Sequence, residues 1–168
     1  AEQYPSQIYG IALVCWKLEE FVLSYQYINQ TFSMRPDDEA SLKLKRQILS
    51  SLWRKDNKYV PEAITFFRMW LYDNPKDMFA RRELYLLYRT QSDQQQASTL
   101  LDEVTTDSNT APESLYHYAC MLIDEGREPE AIDALEKVYQ HNQEHAVVHK
   151  LAQLKQKIGD YHAAIRLY

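Results

Sequence analysis

Glycine is scarce in this chain of 168 residues, which contains only Gly10, Gly126 and Gly159. The three are too widely separated to form a G-x-G-x-x-G dinucleotide loop, a Walker phosphate loop or the G-x-S-x-G elbow of α/β-hydrolases. The sequence therefore excludes the nucleotide-binding and hydrolase motifs that depend on closely spaced glycines.

Cysteine and long apolar runs are also lacking. Cys15 and Cys120 lie far apart, so the sequence has neither a C-x-x-C redox motif nor a disulfide framework. The longest apolar stretch, residues 8–16, is far shorter than the ~20 residues that cross a bilayer. We expect a soluble chain without membrane insertion. The sequence leaves the cellular compartment open, and since it starts at Ala1 no targeting signal can be read.

An excess of positive charge is missing as well. Nineteen Lys and Arg residues face 24 Asp and Glu residues, for a formal net charge of −5. This is the wrong sign for a chain whose main work is to neutralise phosphates, so we expect no nucleic-acid partner. The length and the 45% of hydrophobic residues are sufficient for one folded domain, residues 1–168.

An alanine followed four residues later by a large apolar residue recurs along the chain. The recurrences are Ala63-x3-Phe67, Ala97-x3-Leu101, Ala131-x3-Leu135 and Ala164-x3-Tyr168. These alanines recur at intervals close to the period of about 34 residues that characterises one helix-turn-helix repeat. Apolar residues at helical spacing precede each recurrence, and they predict a partner helix for each.

This pattern resembles the tetratricopeptide repeat family, most clearly at residues 125–132 and 158–165, where a glycine precedes the small alanine. The resemblance implies an all-α, right-handed superhelical solenoid of antiparallel helix hairpins. We predict about five repeats, at residues 5–36, 39–75, 77–109, 112–143 and 145–168. The last repeat is truncated, so we expect the chain to be a segment of a longer protein.

The predicted helices cover roughly residues 5–17, 20–33, 39–55, 60–73, 77–90, 93–106, 112–125, 128–141, 145–158 and 161 to the end. The second repeat departs from the period, because the interval from Ser24 to Ala63 is longer than those that follow it. Its register is left open, with the extra residues expected in a polar loop.

The resemblance also implies a binding site, because the first helix of each hairpin lines a concave groove in this family. The groove residues predicted in this way are Tyr9, Trp16, Lys17, Arg46, Trp53, Arg54, Arg82, Arg89, Tyr116, Asp124, His149 and Lys157. Most are basic or aromatic, and we expect the acids to lie on the second helices, for example at Glu62, Asp102, Glu103, Asp133 and Glu136. The groove then suits an acidic peptide or a terminal carboxylate. Alternatively, these cations merely solvate the surface.

Two short patterns resemble catalytic or metal-binding motifs, and we interpret both as structural. Residues 141–145 spell H-x-x-E-H, a zinc-peptidase signature, and His149 follows four residues later. The repeat register places a turn between the first two histidines, so we predict no metal site. Cys120 and His117 have no recognisable third group, so we expect a buried thiol, and we predict no catalytic residue and no cofactor.

The sequence therefore predicts a non-enzymatic protein-protein interaction scaffold that binds a peptide or helical segment, for which an acidic sequence is the first candidate. An alternative is the regulatory or substrate-presenting arm of a larger enzyme or of a secretion or export machine. Self-association through the repeat ends is a third possibility, using Tyr168 or the aromatic residues of the first hairpin.

Overall fold

The computed structural model describes residues 3–104 and 110–168, and these ranges contain helices and no strand. The helices are α1 (Gln3–Lys17), α2 (Phe21–Met34), α3 (Glu39–Lys55), α4 (Val60–Asp73), α5 (Met78–Thr90), α6 (Gln94–Asp102), α7 (Pro112–Asp124), α8 (Glu128–His141), α9 (His145–Lys157) and α10 (Tyr161–Leu167). The all-α prediction is confirmed. Helix α6 ends earlier than predicted, at Asp102, and residues 105–109 of the predicted third repeat lie outside the described residues.

Aspartates begin four of the helices. In each case a carboxylate oxygen accepts a hydrogen bond from the backbone N–H three residues later, at 2.8–3.1 Å. This bond satisfies one of the donors that a helix N-terminus leaves without a partner. The capping residues are Asp38, Asp77, Asp93 and Asp160.

The first helices of four hairpins are followed by a residue with positive φ. Gly126 and Gly159 have φ of 73° and 85°, a conformation that glycine adopts without steric cost. Glu19 and Ser92 adopt it too, with φ of 61° and 59°. Hairpins α1–α2, α5–α6, α7–α8 and α9–α10 therefore share one turn design, although only two of them have glycine there.

The α3–α4 hairpin is built differently. Helix α3 has 17 residues, and a short 3-10 helix, Asn57–Tyr59, connects it to α4. Asp56 caps this connection by accepting a hydrogen bond from the Lys58 backbone N–H at 3.0 Å. The longer helix and the added turn account for the irregular interval in the second repeat.

The chain divides into two compact units, Ala1–Asp73 and Asn74–Tyr168. In the first unit α1 packs on α2 and α3, and α3 also packs on α2 and α4. The Ser24 hydroxyl donates a 2.7 Å hydrogen bond to the Ala12 carbonyl oxygen, and both residues are fully buried. A small side chain at each position therefore brings the backbones of α1 and α2 close together.

In the second unit α5 packs on α6 and α7, and α8 packs on α7 and α9. Ala97 and Ala131 of the recurring pattern are fully buried, as is Ala63 in the first unit. The recurring alanines are therefore packing positions between helices, as their spacing predicted. Within the described residues, no helix is both long enough and apolar enough to cross a membrane.

Candidate functional site

The twelve predicted groove residues all lie on the first helices of the hairpins, which are α1 and α3 in the first unit and α5, α7 and α9 in the second. Six are exposed: Lys17, Arg54, Arg89, Asp124, His149 and Lys157. Five are half-buried: Tyr9, Trp16, Arg46, Arg82 and Tyr116. Trp53 is only 8% exposed and belongs mainly to the core.

In the first unit, two arginines of α3 lie against tryptophan rings. The Arg54 guanidinium is 4.5 Å from the centre of the Trp53 ring, and it also donates to the Ser50 carbonyl oxygen and hydroxyl. The Arg46 guanidinium is 5.2 Å from the centre of the Trp70 ring on α4. Cation–π contact restricts the movement of each arginine and leaves its charge in place.

The α1 residues of the predicted site are less constrained. Lys17 is exposed and forms no ion pair with another described residue. The Trp16 Nε1–H is buried without a hydrogen-bond partner among the described residues. Tyr9 lines a cleft of about 180 Å³ together with Arg35 and Asp38. A partner at the end of α1 would therefore meet Lys17, a cation without an ion pair among the described residues.

In the second unit, Arg89 is already engaged by a carboxylate. Glu125, at the end of α7, accepts from Arg89 at 2.6 Å, from the Tyr85 hydroxyl at 2.8 Å, from Gln94 at 2.5 Å and from the Ser98 hydroxyl at 3.4 Å. Burial tends to raise the pKa of Glu125, but these hydrogen bonds outweigh it and hold the pKa below its ordinary value. We call these five residues the Glu125 cluster.

Lys157 is engaged in the same way, because its ammonium group forms an ion pair with Glu128 of α8. Arg82 differs from both: it forms no ion pair with another described residue. It lies close enough to His117 that its charge, after burial, contributes to lowering the pKa of that imidazole. Arg82 is therefore the predicted cation of the second unit that keeps its charge available.

Glu62, Asp102, Asp133 and Glu136 lie on second helices as expected, whereas Glu103 follows the end of α6. Four of these five acids form ion pairs with cations elsewhere in the chain. The pairs are Glu62–Lys45 at 3.8 Å, Asp102–Arg127 at 2.9 Å, Glu103–Arg81 at 3.3 Å and Glu136–Lys155 at 2.6 Å. These carboxylates hold adjacent helices together. Sequence reasoning missed these partners, since the two members of each pair lie far apart along the chain and no local pattern connects them.

Tyr116 is part of a larger cleft in the second unit, with a volume of about 370 Å³. It opens between α7 and the turn that joins α8 to α9. Its lining residues are Pro112, Glu113, Tyr116, Val138, Asn142, Glu144, Ala146 and Val147. We call this the α7–α9 cleft. Of these residues the sequence predicts only Tyr116 as part of the site. The repeat register identifies groove positions within helices, whereas most of the lining residues lie near helix ends.

The histidines and the cysteine with catalytic potential lie on α7, α8 and α9. His141 ends α8 and His145 begins α9, as the repeat register predicted. The His149 Nδ1 atom is 3.2 Å from the Tyr168 hydroxyl. No group of three or more potential metal ligands occurs among residues 3–104 and 110–168. Cys120 is a free, buried cysteine.

Solved structures with this succession of hairpins identify the architecture. The chain has a tetratricopeptide-repeat fold. It is similar to a tetratricopeptide repeat protein from Parabacteroides merdae, with 15% identity, a TM-score of 0.71 and coverage of 98% of this chain and 64% of that one. For a thermophilic tetratricopeptide repeat protein of Thermus thermophilus the identity is 16%, the TM-score 0.63, and the coverage 96% and 81%.

A third similar structure is residues 41 to the end of MamA from Desulfovibrio magneticus, with 15% identity, a TM-score of 0.72 and coverage of 97% and 90%. No protein-family model and no curated protein matches the sequence. At these identities the likeness establishes the tetratricopeptide-repeat fold and no binding site.

Proposed function

We propose that this tetratricopeptide-repeat chain is a non-enzymatic scaffold that binds a peptide or helical segment of another protein along the first helices of its hairpins. The most direct support comes from the contacts that the cationic side chains on those helices make or lack. Arg46 and Arg54 are held against tryptophan rings, and Lys17 and Arg82 form no ion pair with another described residue. Cations held in place, or without ion-pair partners, are suited to recognition by charge.

An acidic ligand is favoured by the charge distribution of the first unit. Residues 1–73 contain nine Lys and Arg residues and nine Asp and Glu residues, so the unit as a whole is neutral. Helices α1 and α3 nevertheless carry six of the cations and one acid, whereas Arg68 is the sole cation in the sequence of α2 and α4. Positive charge is therefore concentrated on the first helices, and it would attract a segment rich in Asp or Glu.

The second unit offers an acidic ligand fewer available cations than the sequence predicts. Arg89 and Lys157 are paired with Glu125 and Glu128, so an acidic ligand would have to compete with those carboxylates. Arg82 is the exception. Charge reversal at Arg89 would also disrupt the Glu125 cluster, so it cannot report on ligand binding alone.

The test is a selection of phage-displayed random 16-residue peptides on the wild-type chain, followed by affinity measurement for the selected peptides. We expect Asp and Glu to be enriched. The variant Lys17→Glu/Arg82→Glu should bind these peptides at least tenfold more weakly, because it removes two cations and adds two like charges. Circular dichroism establishes that each variant is folded.

The matched control is Arg68→Glu/Lys76→Glu, which changes the net charge by the same amount at exposed positions that do not belong to the first helices. Equal weakening by both variants would mean that the overall charge is responsible and would contradict the proposed face. The alternative role, an arm that presents substrates to an enzyme or export machine, would use the same face. The identity of proteins carrying the selected sequence would distinguish the two.

A further inference from the structure

The α7–α9 cleft has the dimensions of a site for one or two side chains. Its volume of about 370 Å³ lies near the lower end of the range for ligand cavities, roughly 300–1,000 Å³. Val138 and Val147 contribute an apolar floor, being 1% and 3% exposed. The half-buried Tyr116 ring adds an aromatic wall. A long side chain with an apolar stem would fit such a surface.

Two carboxylates at this cleft are without cationic partners among the described residues, unlike five glutamates of the same unit. Glu103, Glu125, Glu128, Glu130 and Glu136 are all ion-paired with Lys or Arg. Glu113 and Glu144 are exposed, line the cleft and form no ion pair with another described residue. None of the eight lining residues is a Lys or Arg.

The position of Glu144 is fixed by the backbone around it. The Asn142 side-chain oxygen accepts a 3.0 Å hydrogen bond from the Glu144 backbone N–H, which secures the turn at the start of α9. Glu113 lies in the first turn of α7 on the other side of the cleft. The two glutamates therefore line the cleft from different elements, Glu113 in the first turn of α7 and Glu144 directly before α9.

We propose that the α7–α9 cleft binds a lysine or arginine side chain of the partner peptide, and this inference rests on the function proposed above. The apolar stem lies against Val138, Val147 and Tyr116, and the cationic group faces Glu113 and Glu144. The aromatic ring of Tyr116 adds a cation–π contact. Residues 74–168 contain ten Lys and Arg residues against fifteen Asp and Glu residues, so the net charge of this unit also attracts a cation.

Acidic and purely apolar side chains would bind in the cleft less favourably than a basic one. An acidic side chain would meet two like charges, and a purely apolar one would desolvate the carboxylates without offering them a partner. The cleft consequently complements the cationic first helices of residues 3–73, which favour acids.

The experiment uses peptides selected on the wild-type chain and compares it with Glu113→Gln/Glu144→Gln. We expect Lys or Arg to be enriched at one position, and we expect the variant to bind about 2- to 30-fold more weakly at low salt, the range for two partly exposed ion pairs. The matched control, Glu20→Gln/Asp133→Asn, removes the same charge at exposed positions outside the cleft and should bind like wild type.

A second peptide, in which norleucine replaces the enriched basic residue, completes a double-mutant cycle. If the basic side chain occupies the cleft, the norleucine peptide binds the wild type and Glu113→Gln/Glu144→Gln equally, because the interaction has already been removed. The inference is overturned if the basic peptide loses less than twofold on the variant, or if the losses are additive. The proposed function survives that result, whereas failure to select any peptide overturns both.

Discussion

Replacing Glu125 should destabilise residues 74–168 more than replacing any exposed ion-pair partner in that unit. Its side chain is 9% exposed, and its two oxygens accept hydrogen bonds from Tyr85, Arg89, Gln94 and Ser98. These donors come from α5 and α6, whereas Glu125 follows α7. One carboxylate therefore connects three helices, and the fully buried Tyr85 depends on it to pair its hydroxyl.

The magnitude follows from the groups that lose their partner. Hydrogen bonds to a charged group contribute about 1.5–3 kcal/mol each, and a buried hydroxyl left without a partner costs about 1–3 kcal/mol. The Arg89 side chain is 40% exposed, so solvent screens its part of the interaction. For Glu125→Ala we therefore expect a loss of about 3 kcal/mol in the free energy of unfolding. Glu125→Gln keeps the shape and one acceptor oxygen, and it should lose about 1–2 kcal/mol.

Urea unfolding followed by circular dichroism measures this effect. With an m-value of about 1.5 kcal/mol per molar urea, a loss of about 3 kcal/mol lowers the midpoint of the transition by about 2 M. The control is Glu130→Ala, which removes the partly exposed ion pair with Arg127 and should cost less than about 1 kcal/mol. Equal midpoints for Glu125→Ala and Glu130→Ala would refute the reasoning.

The pH dependence provides an independent test of the same cluster. The pKa of Glu125 is lower in the folded state than in the unfolded chain, where it is about 4.3. A lowered pKa means that the stabilisation is fully present above the unfolded pKa and is lost as the pH falls through the folded pKa. The stability difference between wild type and Glu125→Gln should therefore be constant above about pH 5.5 and shrink below about pH 4.

Three further predictions concern stability and use the same unfolding measurement. Gly126→Ala should lower the free energy of unfolding by about 1–2 kcal/mol. The cost comes from the φ of 73° alone, because an added Cβ meets no atom within 4 Å. Ser92→Gly should raise the free energy of unfolding by up to about 1 kcal/mol, and the opposite signs would contradict the shared turn design. Asp77→Ala should cost about 1 kcal/mol by removing a cap, and Asp77→Asn should restore most of it. Lys45→Ala should cost about 2 kcal/mol or more, and Lys45→Met should cost less, because Met keeps a side chain that packs against the three aromatic rings whose centres lie 5.2–6.0 Å from the Lys45 Nζ atom. Burial lowers the pKa of Lys45, so wild type should gain stability relative to Lys45→Met as the pH approaches 10.5.

The hairpins could be predicted from the sequence because they depend on local signals that recur. Buried alanines such as Ala97 and Ala131 leave a regular period, and Gly126 marks a turn that other residues adopt at a cost. The turns at Glu19 and Ser92 have the same geometry without a glycine. There the packing of the helices imposes a positive φ that the residue type does not predict. The register of the second repeat is hard to predict for a related reason, since the 3-10 turn between α3 and α4 adds residues without a glycine signal.

The site could be predicted only as a set of helices. Periodicity indicates which helix face is outward, and all twelve predicted residues do lie on first helices. It does not indicate which charges are already paired, because the partner of Arg89 is 36 residues away and that of Lys157 is 29 residues away. Nor does it identify Glu113 and Glu144, which line one cleft only because folding brings the beginnings of α7 and α9 to its border.

A charged residue on a repeat protein can hold a hairpin or recognise a partner, and the two roles compete for the same donor atoms. Arg89 donates to a carboxylate that is nearly buried, so transferring it to a ligand would cost the interaction with Glu125. Among the described residues, Lys17 and Arg82 have no such interaction to give up, and neither have Glu113 and Glu144. Binding free energy should therefore be concentrated on these unpaired charges, and substitutions at paired ones should appear first as a loss of stability. Measuring unfolding and peptide affinity on the same variants separates the two roles: Arg89→Gln should lower stability more than affinity, and Arg82→Gln should do the reverse.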